Sequence, residues 1–417
     1  MKLKTLQNID LKEKTILYRA PYDIDVKPAR LNSRSGGEVN GVWELVDDMR
    51  IKATLPTLQY LLKENCKIVI LTYVGRPDGH VVEQLRTTPH AQRLSLLLHH
   101  LVLKVDDCIG KEVDDRVAKM QPGDILMLEN VRFYSEEMID DDIFAQKLCR
   151  GKDLIVFDGF PQAHRIHAST TGIERHLEAV AGLYLKSEVE MLSTLLESPR
   201  HPFTVIIGGA KISDKVDAVN SLLKIADTVL VGGAVASVFL KAQGRALGDS
   251  FIEDVFVDEK KREKKDWVLY AKEILQKYKD KIVYPEDVVI SDGVSTKIIN
   301  IFSEGVPDQW AALDIGPKTV KNFMDIIAQS KTVFLAGPMG KFEDEKFANG
   351  GEAILTAMKE LSKNLGGQTI LAGGDTTIIA RRYGNLDDYS HVSLAAGATL
   401  EFLAGKELPA LTPLILK

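Results

Sequence analysis

The fold class is indicated most clearly by the segment Thr369-Ile-Leu-Ala-Gly-Gly-Asp-Thr-Thr-Ile-Ile-Ala380. It begins with a short apolar run, which is typical of a strand buried on both faces of a parallel sheet. Two glycines end the run, and a helical pattern begins after them, where free N–H groups suit a phosphate. Tight backbone packing explains such a glycine pair equally well, so this stretch alone leaves both interpretations open.

The same pattern occurs twice more in this half of the chain, at Gly208-Gly209 and at Gly232-Gly233, each directly after an apolar run. Three glycine pairs at strand ends favour a nucleotide site, because ligands of open α/β sheets bind at the carboxyl ends of strands. The dinucleotide fingerprint Gly-x-Gly-x-x-Gly is absent, and so is the P-loop pattern Gly-x-x-x-x-Gly-Lys-Ser/Thr. A phosphate must therefore be bound by another arrangement.

Apolar runs and helix-period stretches alternate over almost the whole chain, which predicts two doubly wound parallel-sheet α/β domains of the Rossmann-like class. The predicted strands are 15–20, 67–73, 125–130, 154–158, 203–207, 228–231, 332–335 and 369–371. Helical patterns include 51–62 and 353–365. A helix at 186–197, followed by Ser198-Pro-Arg-His-Pro202, is expected to join the two halves as a hinge. The predicted domains are 1–185 and 186–399.

Composition limits the possible partners and the compartment. A net charge of -6 argues against nucleic acid as the main partner. Three widely spaced cysteines fit neither a disulfide framework nor a zinc site. The first residues lack the apolar core of a signal peptide, and no apolar run reaches the roughly 18 residues of a membrane helix. We expect a cytoplasmic, monomeric protein with no membrane partner. The polar stretch 27–41 is expected to be a flexible loop.

Five arginines lie at predicted strand ends or helix starts in the first half of the chain: Arg19, Arg50, Arg76, Arg132 and Arg165. One arginine alone is ordinarily a solvated surface charge. Five at equivalent topological positions are expected to converge on one crevice, where forked donors suit phosphate and carboxylate. The predicted ligand of this half is small and multiply anionic.

Two lysines follow the first glycine pair of the second half. Lys211 and Lys215 are one helical turn apart, so both are expected to point the same way and to reach a nucleotide phosphate. A lysine pair on one face is otherwise directed to solvent. His164 and His167 flank Arg165 without a third ligand nearby, so we expect structural rather than metal-binding roles for them.

Taken in order, these stretches resemble those of the phosphoglycerate kinase family over nearly the whole chain. The resemblance rests on Asp48-Met-Arg-Ile51, Leu55-Pro-Thr57, Gly75-Arg-Pro77, Leu128-Glu-Asn-Val-Arg-Phe133, Ala163-His-Arg-Ile-His-Ala-Ser169, Gly208-Gly-Ala-Lys-Ile-Ser-Asp-Lys215, Leu313-Asp-Ile-Gly-Pro317, Gly337-Pro-Met-Gly-Lys-Phe-Glu343, Gly373-Gly-Asp-Thr376 and Gly397-Ala-Thr-Leu-Glu-Phe-Leu-Ala-Gly-Lys-Glu-Leu-Pro409. Each piece alone is modest, but their order is specific.

The resemblance implies reversible phosphoryl transfer between 1,3-bisphosphoglycerate and Mg-ADP, a step of glycolysis that gives 3-phosphoglycerate and ATP. It implies that the first domain, with the tail 400–417 packed back on it, binds 3-phosphoglycerate through Asp23, Arg50, Tyr73, Arg76, Arg132 and Arg165. The implied nucleotide residues of the second domain are Lys211, Lys215, Gly233, Ala312, Glu343, Ala372, Gly373, Gly374, Asp375 and Thr376. Among these, Glu343 matches the residue that holds the ribose, and Asp375 the residue that helps to hold Mg²⁺.

Such chemistry needs alignment and charge neutralisation more than acid–base catalysis, because a carboxylate is already a competent nucleophile. We expect Arg50 and Lys211 to neutralise the moving group, with backbone donors at Gly373, Gly374 and the helix start near Gly397. Substrates held on separate domains imply closure, which excludes water.

Several residues depart from the family pattern. Pro21 and Asp23 stand where the family has Asp and Asn, and Tyr73 stands where it has His. Ala234, Ala336 and Ala372 replace Gly, Asn and Gly. One hypothesis is that Asp23 binds the substrate with help from Arg30 or Arg34 in the enlarged loop; otherwise Asp23 caps a turn. Two alternative functions stay open: a kinase for another small phosphorylated carboxylic acid, and a catalytically silent nucleotide-binding scaffold.

Overall fold

The computed structural model describes residues 1–30, 38–258 and 263–416, which form two compact units. Unit 1 comprises Met1–Met191 and Glu407–Lys417, and unit 2 comprises Leu192–Lys406. Within the described ranges, none of the helices combines the length and the hydropathy required to cross a membrane.

Unit 1 is built on a six-stranded, wholly parallel sheet with the strand order β5-β6-β4-β1-β7-β8. Its elements are β1 (Thr15–Arg19), β2 (Val26–Arg30), β3 (Glu38–Leu45), α1 (Met49–Lys63), β4 (Lys67–Leu71), α2 (Thr88–Leu98), β5 (Val102–Lys104), α3 (Lys111–Lys119), β6 (Ile125–Met127), α4 (Asp142–Cys149), β7 (Leu154–Phe157), β8 (Ala179–Ala181) and α5 (Leu183–Glu197), which continues into unit 2. The central strands β1 and β7 are buried on both faces, and this explains their continuous apolar sequence. The loops after β1, β4, β6 and β7 leave the sheet at the same edge.

Unit 2 contains a second six-stranded parallel sheet, with the strand order β13-β10-β9-β17-β18-β19. Its elements are β9 (Phe203–Ile207), α6 (Val216–Ile225), β10 (Thr228–Val231), α7 (Gly233–Ala242), β11 (Val255–Asp258), β12 (Glu263–Asp266), α8 (Trp267–Lys277), β13 (Ile282–Val283), β14 (Asp287–Ser291), β15 (Thr296–Asn300), β16 (Ala311–Ile315), α9 (Pro317–Gln329), β17 (Thr332–Ala336), α10 (Asn349–Lys363), β18 (Gln368–Ala372), α11 (Gly374–Tyr383), β19 (His391–Ser393) and α12 (Gly397–Leu403). The strand order reverses between β9 and β17, so the loops after these strands lie at the topological switch point where α/β sheets bind ligands.

The predicted fold class of two doubly wound α/β domains is confirmed. The predicted domain boundaries at 185/186 and 399/400 stay a prediction; the compact units divide at 191/192 and at 406/407. The tail of the chain adds to unit 1, where Leu3 and Ile415 form an antiparallel bridge and the Ala410 N–H donates to the Ala163 carbonyl.

The expectation of a flexible loop over 27–41 was wrong at both of its ends. Strands β2 and β3 pair antiparallel, with Val26 opposite Leu45 and Lys27 opposite Glu44. The valine, tryptophan and leucine residues that alternate with polar residues here suit such a ribbon. Pro28 and the charged residues around it are untypical of strands, so the ribbon was not predicted. Arg34 lies outside the described residues, and so does the side chain of Arg30, so their predicted role at the substrate stays a prediction.

Candidate functional site

The site in unit 1 lies at the carboxyl ends of β1, β4, β6 and β7. Arg19 is the last residue of β1, and Asp23 follows in the loop after it. Tyr73 and Arg76 follow β4, Arg132 follows β6, and Arg165 follows β7. Arg50 is the second residue of α1. The sheet therefore brings the predicted substrate residues to one edge.

Two residues of the Leu128–Phe133 motif form the frame of this site. The Glu129 carboxylate is buried and accepts from the Thr87 and Asn130 N–H groups at 2.8 and 3.0 Å. It also accepts from Arg86 and Lys104, so its negative charge is compensated. The Asn130 side chain donates to the Val74 and Leu85 carbonyls at 2.7 and 3.0 Å. Together, Glu129 and Asn130 fix the loop after β4. The sequence identified both residues as part of a motif but did not indicate their role.

A continuous set of contacts links the predicted substrate residues. The Arg50 Nη1 donates to the Asp23 carbonyl, and the Asp23 Oδ1 accepts from the Gly75 N–H at 2.9 Å. The Gly75 carbonyl in turn accepts from Arg132 Nη1 at 2.6 Å. The Arg132 Cζ lies 3.5 Å from the centroid of the Tyr73 ring. Asp23 therefore holds the turn at Gly75. A structural role at a turn was the alternative to substrate binding that the sequence left open.

Several cationic nitrogens of this site are buried and have no hydrogen-bond partner in the described part of the chain. They are Arg19 Nη2, Arg132 Nε, Arg132 Nη2 and Arg165 Nε. A buried donor without a partner is destabilising, and a buried uncompensated charge more so. Burial lowers the pKa of both Arg19 and Arg132, and the Arg165 charge adds to the effect on Arg132. Such an arrangement of donors suits an anion.

Burial shifts the pKa values of two titratable groups deep in the site in opposite directions. Burial raises the pKa of Glu137, although two donors from Ser169 and the charge of Arg19 oppose the rise. Burial, followed by the charges of Arg132 and Arg165, lowers the pKa of His167 to about 4. His167 is therefore neutral at pH 7, and the positive charge of the site comes from arginines.

The remaining residues around this cluster differ in their burial and in their contacts. Arg76 is exposed and makes no hydrogen bond or ion pair with the described residues. Arg165 is half-buried, and its N–H donates to the Gln162 carbonyl at 2.9 Å. Pro21 is buried and offers no polar side chain. Gln162 was not identified from the sequence, and its Nε2 lies 3.4 Å from the Tyr73 hydroxyl.

Unit 2 contains a cavity of about 460 Å³ onto which the starts of three helices open. We call it the helix-start cavity, because the residues that precede α6, α11 and α12, namely Lys215, Gly373 and Ala396, all line it. Helix N-termini present unpaired N–H groups and the positive end of the helix dipole, so they attract anions. The predicted Ala372, Gly374, Asp375 and Thr376 line the same cavity. Ala396 has φ 38 and ψ -96, a backbone conformation that an alanine rarely adopts.

The structure separates the two interpretations of the glycine pairs. A Cβ on Gly208 would lie 2.8 Å from the Pro338 carbonyl carbon, and one on Gly233 would lie 2.8 Å from the Gly209 nitrogen. These glycines permit backbone to pack on backbone. In contrast, a Cβ on Gly374 or on Gly397 would meet no heavy atom within 4 Å. The pair after β18 therefore faces the open cavity, as a phosphate site requires.

A second, largely apolar cavity of about 250 Å³ lies at the switch point of the same sheet. Its predicted members are Gly233, Ala312, Glu343 and Asp375, and its wall includes Leu313, Pro338 and Met339. The Asp314 carboxylate, which the sequence did not single out, accepts from the Ile315 and Gly350 N–H groups at 2.9 and 2.8 Å. Burial raises the pKa of Asp314 to about 7. Apolar walls with a few polar groups suit a base and a ribose.

The two predicted lysines differ in placement. Lys215 lines the helix-start cavity, and its Nζ donates to the Lys211 carbonyl at 3.3 Å. Burial lowers the pKa of Lys215. Lys211 is exposed and lines neither cavity. The loop between them is held by Glu253, whose carboxylate accepts from the Ile212 and Ser213 N–H groups at 2.6 and 2.9 Å. Glu253 lies 40 residues beyond Ser213, so no local sequence pattern indicates this interaction.

The described residues contain no group of three histidines, cysteines or carboxylates that would bind a metal by itself. Mg²⁺ in nucleotide sites is ordinarily held by one or two carboxylates together with substrate phosphates. Asp375 is exposed and lines both cavities, so its donor chemistry fits that arrangement.

Comparisons with known proteins agree over the full length of the chain. The family model described as Phosphoglycerate kinase matches residues 6–406. A phosphoglycerate kinase of Pelotomaculum thermopropionicum is 37% identical over 420 residues, which cover 100% of both chains. One of Moorella thermoacetica is 38% identical over 415 residues, or 98% of each chain. The structure is similar to those of phosphoglycerate kinases from Coxiella burnetii and Pyrococcus horikoshii, with TM-scores of 0.81 and 0.82, 30% identity, and coverage of 99% of this chain and 98% of each of those.

Proposed function

The chain belongs to the phosphoglycerate kinase family, and from this premise we propose how its two units divide the reaction. The protein is a phosphotransferase with a carboxyl group as acceptor. It moves a phosphoryl group reversibly between 1,3-bisphosphoglycerate and ADP, which gives 3-phosphoglycerate and ATP. Unit 1 binds the phosphoglycerate, and unit 2 binds the nucleotide.

One observation supports the assignment of unit 1 most strongly: four guanidinium nitrogens are buried without partners in the described chain. A phosphate dianion accepts hydrogen bonds from such donors and neutralises their charge, so it removes both penalties together. Arg19, Arg132 and Arg165 hold the phosphate of the substrate, and Arg76, which is exposed, adds a further charge. Asp23 contributes indirectly through Gly75.

In unit 2, the nucleotide occupies both cavities. Its base and ribose bind in the apolar cavity, where Gly233 and Ala312 form the wall and Glu343 takes the ribose hydroxyls. The phosphates extend into the helix-start cavity, toward Lys215 and the N–H groups at Gly373, Gly374 and Thr376. Asp375 lines both cavities and would help to hold Mg²⁺, which would supply positive charge where the phosphates bind.

The chemical step needs no acid or base from the protein. The carboxylate oxygen of 3-phosphoglycerate attacks the γ-phosphorus of ATP, the bond from that phosphorus to the bridging oxygen breaks, and ADP leaves with the electron pair. Arg50 and Lys211 stabilise the charge on the transferring phosphoryl group, and the backbone donors at Gly373 and Gly374 add to them. Closure of the two domains on their substrates stays a prediction.

A coupled assay with 3-phosphoglycerate, ATP and MgCl₂ tests this proposal. We expect ATP-dependent, magnesium-dependent phosphorylation. Binding of Mg-ADP without turnover of millimolar 3-phosphoglycerate would refute it, and would favour the scaffold or a different phosphorylated acid. We also propose that the chain works as a monomer in the cytoplasm, which size-exclusion chromatography and cell fractionation would test.

Variants at the two proposed catalytic residues give a sharper test. Arg50→Ala and Lys211→Ala are expected to lower kcat far more than they raise either KM, by about 3 to 5 kcal/mol of transition-state stabilisation. Lys215→Ala is expected to weaken nucleotide binding more evenly. The matched controls Arg116→Ala and Lys272→Ala replace exposed side chains outside the site and leave both constants unchanged. A loss below tenfold would show that Arg50 and Lys211 only bind or pack.

A further inference from the structure

The ring of Tyr73 is buried beneath the guanidinium group of Arg132. Only 2% of Tyr73 is exposed, and the Arg132 Cζ lies 3.5 Å from the ring centroid. A second guanidinium carbon, that of Arg19, lies 5.4 Å from the same centroid. Aromatic faces attract cations within about 6 Å of the ring centre, and they do so more strongly where water is excluded. Tyr73 is thus the shared aromatic partner of two arginines of the substrate site.

The contacts of Arg132 determine which of its donors remain for a ligand. Nη1 donates to the Gly75 carbonyl at 2.6 Å, whereas Nε and Nη2 are buried and have no partner among the described residues. Nε and Nη2 lie on the same side of the planar guanidinium group, so their N–H bonds point in parallel. Two parallel N–H donors match two oxygens of one phosphate.

Two constraints hold that pair of donors in place. Stacking on Tyr73 fixes the plane of the guanidinium group, and the hydrogen bond to Gly75 fixes its rotation within the plane. The Tyr73 hydroxyl itself lies 3.4 Å from Gln162 Nε2, a buried protein group. The hydroxyl is therefore turned toward the protein interior, and the ring face is the part of Tyr73 that serves the site.

We propose that Tyr73 is a positioning residue, which holds the plane of Arg132 so that Nε and Nη2 bind two phosphate oxygens of the acid substrate side-on. This inference rests on the proposed function, because it assumes that the phosphate of 3-phosphoglycerate binds in unit 1. It assigns the contribution of Tyr73 to its aromatic face and gives its hydroxyl no contact with the substrate.

The test measures the Kd of 3-phosphoglycerate by calorimetry on the full chain, and kcat and KM in the coupled assay. Tyr73→Leu removes the aromatic face, and we expect Kd and KM to rise about tenfold while kcat at saturation stays within about twofold. Tyr73→Phe keeps the face and should match the unmodified chain within twofold. Tyr60→Leu, which replaces a half-buried tyrosine of α1 in the same unit, serves as the matched control.

A double-mutant cycle with Arg132→Ala separates positioning from direct contact. If Tyr73 acts through Arg132, adding Tyr73→Leu to Arg132→Ala raises Kd by less than twofold more. Additive losses would overturn the proposal, because Tyr73 would then act on the substrate by itself.

Two further variants decide the matter if Tyr73→Leu does not fold. Tyr73→Phe with a tenfold higher Kd refutes the proposal, since the stack is intact and only the hydroxyl is lost. Arg132→Lys keeps the charge but lacks the two parallel donors, so a Kd within twofold of the unmodified chain refutes side-on binding. An unmodified chain that neither binds nor phosphorylates 3-phosphoglycerate refutes the proposed function instead.

Discussion

Gly374→Ala separates a glycine required by a ligand from one required by packing. Gly374 is the first residue of α11, is exposed, and leaves open space within 4 Å of the added Cβ. An alanine that fits a helical position without strain stabilises a protein by about 0.4 to 1 kcal/mol, because the unfolded chain has fewer conformations. We therefore expect the folded protein to become slightly more stable.

The same methyl group should weaken nucleotide binding. It enters the helix-start cavity at the point where we propose that phosphate approaches the backbone. A hydrogen bond to a charged group contributes about 1.5 to 3 kcal/mol, so losing one raises the Kd of Mg-ADP by about 10- to 150-fold. Stability and affinity are thus expected to change in opposite directions, which a general disturbance of the fold does not produce.

Gly208→Ala is the matched control, since it makes the same chemical change in another glycine pair of unit 2. Its Cβ meets the backbone of Pro338 and the Met339 side chain, so the fold must shift, at a cost of about 3 kcal/mol. Calorimetric thermal midpoints and Kd values for Mg-ADP decide the outcome. A midpoint for Gly374→Ala as low as that of Gly208→Ala, or an unchanged Kd for Mg-ADP, would show that Gly374 is not required by a ligand.

Three other changes follow from single residues. Ala396→Gly relieves the strain of the positive φ before α12, and we expect the folded protein to be about 1 kcal/mol more stable. The thermal midpoint should rise, and an unchanged midpoint would show that Ala396 is not strained. Burial raises the pKa of Glu174 to about 9, and neither carboxylate oxygen has a partner in the described chain. Because its folded pKa lies above its unfolded value, Glu174 lowers stability increasingly as pH rises from about 4.5 to 9. Denaturant titrations should therefore show that Glu174→Gln is more stable than the unmodified chain by about 2 kcal/mol at pH 8 and by far less at pH 5. An equal difference in stability at the two pH values would contradict this prediction. Glu253→Ala frees the loop from Lys211 to Lys215, and we expect the KM of ATP to rise about tenfold while that of 3-phosphoglycerate is unchanged.

The sequence predicted the four central strands of each six-stranded sheet, because a strand buried on both faces must be apolar throughout. It did not predict the edge strands β5, β8, β13 and β19, or the three strands from β14 to β16. The predicted run 203–207 is β9, and 228–231 is β10, residue for residue. The ribbon of β2 and β3 and the pair of β11 and β12 were missed. Their residues are mixed in polarity, and their pairing is decided by a partner strand rather than by a core.

The candidate site was predictable as a set of residue types but not as a set of roles. Gly208 and Gly374 each belong to a glycine pair that follows a strand, and only the tertiary packing distinguishes the crowded residue from the open one. Asp23 and Glu253 act through backbone N–H groups that lie 52 and 40 residues away along the chain. Such distances remove any local pattern that would reveal the pairing.

The two units attract anions by different physical means, and this difference bears on magnesium. Unit 1 contains guanidinium groups whose donors are buried and unpaired within the described chain, so a phosphate that binds there would be neutralised directly. The helix-start cavity of unit 2 combines helix dipoles with two lysines, Lys215 and Lys406, and four carboxylates: Asp214, Asp217, Asp375 and Glu401. Lys406 is already paired with Asp217 at 2.6 Å.

A free nucleotide would face repulsion from the remaining carboxylates, whereas a nucleotide that brings a divalent cation would be attracted by them. We therefore expect the affinity of unit 2 for ADP to depend steeply on magnesium, and that of unit 1 for 3-phosphoglycerate to be independent of it. Calorimetric titrations of each ligand with MgCl₂ and with a chelator would test this, and an equal magnesium dependence of both ligands would contradict it.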